Sequence, residues 1–188
     1  MTGRGRRLRL PIDTDRLCLR EFSGEDLAAV TTLYSDRRVT RYMLYGPRDE
    51  SGARRHLAGV IRRQRDEPRE AWELAVTRVD DNTLIGACDL TLHSRQEAEI
   101  GYLFARRHWR QGYASEVAVT LVGSAFAQLG VERVLSTVEI HNERSLRVLD
   151  KAGLRWEATF RRYARARRHW WDVHLYAISR EDWAVAQG

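Results

Sequence analysis

The chain is poor in several things that would otherwise direct its reading. Its 188 residues contain two cysteines, Cys18 and Cys88, which make no disulfide framework, and no CxxC pair offers a zinc site. It has one lysine, Lys151; the rest of its 32 basic residues are arginine. No apolar run approaches the roughly 20 residues of a membrane span. The basic stretch Met1 to Leu10 is not followed by the apolar segment of a secretory signal. The sequence also lacks HExxH, GxSxG, the P-loop and GxGxxG. Its histidines, His56, His93, His108, His141, His169 and His174, never fall at metal-ligand spacing, so no metal is expected. These absences describe a reduced, cytoplasmic protein without a membrane segment.

What is present is enough for a core. Hydrophobic residues make up 43% and charged residues 31%, and the length suits one domain. The net charge is +6 and the pI about 9.8. Arginine forks suit phosphate and carboxylate partners, but a genome rich in Arg codons gives the same composition. One Arg cluster spans positions 4 to 9. A second comprises Arg161, Arg162, Arg165, Arg167 and Arg168. Neither is interleaved with the aromatics of a nucleic-acid module, so no nucleic-acid partner is expected.

Residues 1–11 read as a disordered basic lead-in and 12–188 as one domain. Leu17 and Leu19 alternate on a first strand. Ser23 starts a helix over 24–34, a short helix follows over 36–42, and Ala53, Leu57, Val60 and Ile61 mark an amphipathic helix over 49–65. Strands over 72–79, 83–92 and 97–105 form an antiparallel meander. An apolar helix spans 114–129 and stops at Gly130. A strand over 134–140, a helix over 143–152, strands over 154–160 and 170–178, and a terminal turn to Trp183 complete a mixed α/β pattern.

Three stretches carry candidate chemistry. In Arg106-Arg-His-Trp-Arg-Gln-Gly-Tyr-Ala-Ser-Glu116, small residues sit where a turn enters a helix. Backbone N–H groups can converge there on an anion, although a glycine before a helix is also simply a turn. In His141-Asn-Glu-Arg-Ser145 through Gly153, Asn142 and Ser145 occupy a first helical turn, as a plain N-cap or facing a ligand. In Ala98 to Phe104, Glu99, Gly101 and Leu103 share one face, which suggests a polar cavity with close backbone approach, or an exposed edge. Glu73 and Asp172 are lesser candidates for acceptor binding.

The three stretches follow a Thr14-Asp-Arg-Leu-Cys-Leu-Arg20 opening. Together, Trp109-Arg-Gln-Gly-Tyr-Ala114 and Asn142-x-x-Ser145-x-x-x-Leu149-x-Lys151-x-Gly153 resemble the GNAT superfamily of N-acetyltransferases. The likeness is greatest to its RimJ/RimL-like branch and runs from about Ile12 to Trp183. Trp109 stands where the superfamily commonly has Gln or Arg, as is usual in that branch, and Arg110 stands where Gly is frequent. The resemblance implies a mixed, mostly antiparallel sheet of about seven strands with a splayed central pair, flanked by helices. It implies acetyl-CoA as acetyl donor and direct transfer to a primary amine, a protein or peptide N-terminus before an antibiotic or polyamine. A module that kept the fold only to bind acyl-CoA or nucleic acid is the non-enzymatic alternative, and a homodimer is left open.

By the same resemblance, backbone groups of Leu103, Phe104 and Ala105 meet the pantetheine arm. Arg110, Gln111, Gly112, Tyr113, Ala114 and Ser115 take the pyrophosphate. Asn142 contacts the pantetheine and Ser145 protonates the leaving thiolate. From the chemistry of the groups, Glu99 is the candidate to accept the amine's proton, directly or through water, with water alone as the other base.

Overall fold

The computed structural model describes residues 6–187. One eight-stranded sheet runs through it in the order β1-β2-β3-β4-β5-β6-β8-β7. The strands are β1 (Ile12–Asp13), β2 (Leu17–Glu21), β3 (Ala71–Arg78), β4 (Leu84–Leu92), β5 (Glu97–Phe104), β6 (Arg133–Glu139), β7 (Arg155–Ala166) and β8 (His169–Ser179). The helices are α1 (Leu27–Ser35), α2 (Glu50–Arg63), α3 (Tyr113–Ser124), α4 (Glu143–Lys151) and α5 (Arg180–Gln187). The fold is the expected mixed α/β class, with eight strands in place of about seven because the short β1 pairs with β2.

The sheet separates two apolar cores. Val117, Leu121 and Val122 of α3 pack on one face with Leu17, Trp72, Leu74 and Ile100. Val30 and Leu33 of α1 and Ala53, Leu57 and Val60 of α2 pack on the other with Ala75 and Ala87. The 3.6-residue spacing read for α2 is the stripe that faces the sheet, and Asp49 caps its start by accepting from the Gly52 N–H at 2.7 Å.

Several expectations are corrected. Residues 1–5 of the supposed lead-in lie outside the described residues. Of the rest, Leu8 is buried in the first core and the Arg9 N–H donates to Gln128 Oε1 at 2.8 Å, so that part is packed. Helical structure expected over 36–42 reduces to one tight turn at Thr40–Tyr42. The helix expected through Leu129 widens to π geometry after Ser124. Helix α5 runs beyond Trp183. Residues 161–166, read as a loop, belong to β7. Strands β7 and β8 continue to a two-residue turn at Arg167 and Arg168, with φ of 52° and 70°. Paired positive φ values are what a tight hairpin demands, and glycine or asparagine normally signals it.

The site is positioned by β5. It pairs antiparallel with β4 along its whole length but parallel with β6 only over Glu97–Glu99 against Arg133–Leu135. Beyond that point β6 stays paired with β8 alone, and a gap opens between it and β5. Gly86 of β4 lets β5 lie close at the gap: a Cβ there would meet the Leu103 carbonyl oxygen at 2.5 Å and the Phe104 ring at 2.7 Å. Gly86→Ala is therefore expected to cost about 1–3 kcal/mol by overpacking. Urea unfolding checks this as a lower midpoint with unchanged slope.

Candidate active site

The gap begins at a pin. Glu99 Oε1 accepts from Thr137 Oγ1 at 2.7 Å and from the Thr137 N–H at 3.3 Å, while Oε2 lies 2.7 Å from His93 Nε2. Glu99 thus ties β5 to β6 where they part. Past it, the antiparallel alternation decides which backbone groups are free. The Ala105 N–H donates to Ile85 C=O at 2.9 Å, so Leu103, two residues earlier, also turns toward β4. Tyr102 and Phe104 face the gap instead. The Phe104 carbonyl is held by Trp109 Nε1 at 2.7 Å, which leaves the Tyr102 amide groups and the Phe104 N–H on the open edge. Of the three residues assigned to the pantetheine arm, only Phe104 presents its backbone there.

The loop before α3 supplies the second wall. Arg110 and Gly112 adopt φ of 62° and 84°, and Gly112 is the N-cap, without a side chain to cap the helix. The Tyr113, Ala114 and Ser115 N–H groups are among the donors every helix start leaves unmatched, so the positive helix end opens toward solvent. The Arg110 and Gln111 side chains are exposed, and Gln111 Nε2 donates to Arg107 C=O at 3.0 Å. Arg16 holds the loop from outside. Its Nη1 donates to Gln111 C=O at 2.9 Å, its Nε to Glu116 at 2.8 Å, and its guanidinium lies 4.6 Å from the Tyr113 ring centroid. Burial alone would raise the Glu116 pKa, but the hydrogen bonds from Thr14 and Arg16 outweigh it and the carboxyl titrates below its ordinary value. No local signal marks Arg16, because its partners lie about a hundred residues away.

Helix α4 supplies the third wall. Asn142 is its N-cap, accepting from the Ser145 N–H at 3.4 Å, so the plain capping role is present. Ser145 Oγ lies 2.9 Å from Tyr102 Oη. Burial holds the Tyr102 phenol well above its ordinary pKa, despite the serine contact. Arg144 stacks over Trp109 at 4.7 Å and joins α4 to the loop across the gap.

On the opposite face of the sheet lies a pocket of about 310 Å³ between α2, β3, β4 and β5. Tyr34 and Tyr45 contribute to its walls. Glu73 stands in it, paired with His56 at 2.8 Å and Arg63 at 3.1 Å. Burial opposes its ionisation, but those two partners prevail and its pKa is lowered. Asp89, also on the lining, is deeply enclosed, and burial pushes its pKa up to about 7, with Glu73 and Glu99 adding to the effect. Asp89 pairs with Gly101 across the ladder, and a Cβ on Gly101 would meet its Oδ1 at 2.5 Å. The close approach expected at Gly101 exists, but a carboxylate makes it and not backbone. Asp89 was missed by sequence reasoning; its one signal is an acid within an apolar strand, Ile85-Gly-Ala-Cys-Asp-Leu90. Asp172 lies outside the pocket, bound to Arg161 at 2.8 Å and to the Arg162 N–H at 2.7 Å.

A splayed strand pair, an uncapped helix start on one face and an acidic pocket on the other define an acyl-transfer scaffold. The acetyltransferase (GNAT) domain family matches residues 16–155. The uncharacterized N-acetyltransferase YnaD of Bacillus subtilis is 32% identical over 92% of this chain and 98% of its own. A further B. subtilis N-acetyltransferase, YoaA, is 31% identical over 89% and 95%. A GNAT-family acetyltransferase structure from Bacillus anthracis superposes with a TM-score of 0.82 at 28% identity, covering 92% of this chain and 99% of that one. The chain belongs to the GNAT acetyltransferase family, and it is an N-acetyltransferase that takes its acetyl group from acetyl-CoA.

Gly112→Val puts a branched side chain into a left-handed conformation, 3.3 Å from Arg16. Acetyl-CoA affinity is expected to fall about tenfold or more, equivalent to about 1.4 kcal/mol. Calorimetry measures this, with circular dichroism unchanged. Parental affinity would remove the loop from the donor site.

Proposed function

We propose that the enzyme acetylates the α-amine of a peptide or protein N-terminus in a ternary complex, in the manner of the RimJ/RimL-like branch, within the cytoplasm. One observation carries this reading: the gap runs along the open edge of β5, the acidic pocket lies on one face of the same strand, and the two come together at Leu103, which lines the pocket between the gap-facing Tyr102 and Phe104. Two substrates entering by these separate openings can react directly, with no enzyme-bound acetyl group. Cys88 fits that reading, since burial raises its pKa well above the ordinary thiol value and disfavours the nucleophilic thiolate.

The gap-facing N–H groups of Tyr102 and Phe104 are placed to polarise the thioester carbonyl as negative charge develops on its oxygen. The Tyr102 hydroxyl can donate to Ser145 Oγ, which leaves the serine proton available to the departing sulfur. The Tyr113–Ser115 N–H groups would hold the pyrophosphate. Ser145→Ala is expected to lower kcat by about 10²-fold or more, as for a positioned general acid. Acetyl-CoA affinity should be unchanged. A parental kcat would remove Ser145 from the proton path.

The acceptor's charge is addressed by the pocket rim. Arg167 donates to the Thr40 and Arg41 carbonyls at 3.3 and 3.2 Å, which brings the β7–β8 turn onto the loop leading to Tyr45. Arg165 and Arg168 are exposed beside it, without an ion pair among the described residues. Such a rim favours a chain with carboxylates near its N-terminus over a polycation. A structure of the L7/L12 α-N-acetyltransferase RimL superposes with a TM-score of 0.77, and one of a Vibrio cholerae spermidine N-acetyltransferase with 0.76; at 18% and 17% identity both support the fold alone. The expected outcome is a higher kcat/KM for an acidic N-terminal peptide than for spermidine, with the preference shrinking in high salt and in the Arg165→Gln, Arg168→Gln double variant. Equal values under all conditions would overturn the peptide reading.

A further inference from the structure

Three carboxylates line one face of the sheet, and their partners differ. Glu73 is paired on both oxygens, with His56 and with Arg63. Glu99 is engaged on both oxygens, with Thr137 and with His93. Asp89 lies between them in the ladder and has neither a hydrogen bond nor an ion pair among the described residues. An enclosed carboxylate without a partner is costly, and burial between two other acids makes it more so. The surface it retains faces the pocket, so whatever completes it must enter there. The walls are aromatic, the pocket suits a small group, and the missing charge is positive.

We infer that Asp89 is the docking group and proton acceptor for the acceptor amine, which enters this pocket as a primary alkylammonium. The inference rests on the transferase reading above and names the residue that acts in it. Glu99 then serves as a positioning residue, holding the strand pair at its branch point. Asp89 overlies Gly101, one residue from the first backbone groups that face the donor gap, so the amine would wait beside the thioester.

The step balances. The ammonium gives one proton to the Asp89 carboxylate, and the freed lone pair forms the N–C bond as the C–S bond breaks. The second proton lost by nitrogen balances the one the thiolate gains through Ser145. Asp89 returns its own proton to solvent through the pocket mouth.

The environment tunes this exchange. From β3 and β5, Asp89 is approached by Glu73 and Glu99, and from α2 by His56 and Arg63. Tyr34 and Tyr45 close the pocket from α1 and the loop after it, and Arg69, paired with Glu21, stands at its edge. With a pKa of about 7, Asp89 is better matched to an α-amine near 8 than an ordinary carboxylate near 4 would be. As a base it must be ionised, so kcat/KM should fall as pH drops through about 7.

Two measurements test this. In the first, the carboxyl carbon of Asp89 is followed by NMR in 13C-aspartate-labelled protein and assigned by its loss in Asp89→Asn. The titration midpoint is expected to fall by about one to three pH units when propylammonium is added, as a close opposite charge requires. In the second, thiol release from acetyl-CoA is measured with propylamine and with an acidic tetrapeptide bearing a free N-terminus. Asp89→Asn should lower kcat/KM by about 10²–10⁴-fold and abolish the acidic limb, with acetyl-CoA affinity retained as the control for folding. A midpoint indifferent to propylammonium, or near-parental turnover by Asp89→Asn, overturns the inference. If the parent enzyme acetylates neither probe while the midpoint still falls, the acceptor reading fails and the ammonium site stands.

Discussion

The short parallel pairing of β5 with β6, closed by Glu99 on Thr137, is the constraint from which the rest of the site follows. Three residue pairs are enough to fix the strands' relative direction. Because the pairing then stops, the edge of β5 beyond it keeps polar backbone groups without a strand partner. Such groups are costly when buried unmatched, so this edge must face either water or a ligand with matching polarity. The helices that follow β5 and β6 both start near the opening, and their first turns contribute unmatched N–H groups and Ser145. Helix α3 is held in place by the apolar packing of Val117, Leu121 and Val122, which concerns the core and not the chemistry.

Charge is sorted by depth. The pocket floor carries Glu73 and Asp89, whereas the surface above and around it is arginine-rich, as the net charge of +6 requires. Part of that arginine is employed in ion pairs. Arg20 forks onto Asp26 at 2.9 and 2.8 Å, Arg78 pairs with Asp81, and Arg161 pairs with Asp172. The exposed pairs among them, Arg78–Asp81 and Arg161–Asp172, add little stability each. Arg165 and Arg168 have no ion pair among the described residues, and their field is directed at whatever approaches the hairpin.

Much of this was legible in the sequence, and the illegible parts share a cause. Helix α2 announced itself by apolar spacing and α3 by a glycine followed by a long apolar run, since both signals act within a few residues. The gap-facing loops were legible through the combination of two motifs. The β7–β8 hairpin was not, because Arg167 and Arg168 adopt left-handed backbone without the glycine or asparagine that betrays such turns. Leu8 looked like part of a polar tail because one leucine among arginines has no periodicity, yet it is buried. Asp89 was hidden by the opposite effect: its strand neighbours are apolar, and only the ladder partner Gly101 shows why an acid fits there.

The Arg16 contacts also bear on how the chain reaches its native state. Arg16 and Glu116 stand a hundred residues apart, and the loop before α3 is braced only when both are in place. Contacts of such long sequence separation form late, after the entropy of closing the intervening chain has been overcome. A nascent or partly folded chain can therefore own both motifs and still lack the braced loop. With the proposed donor site at this loop, donor binding reports completion of the sheet from its first long strand onward, and acetyl-CoA stabilises the fully assembled state over every truncated one.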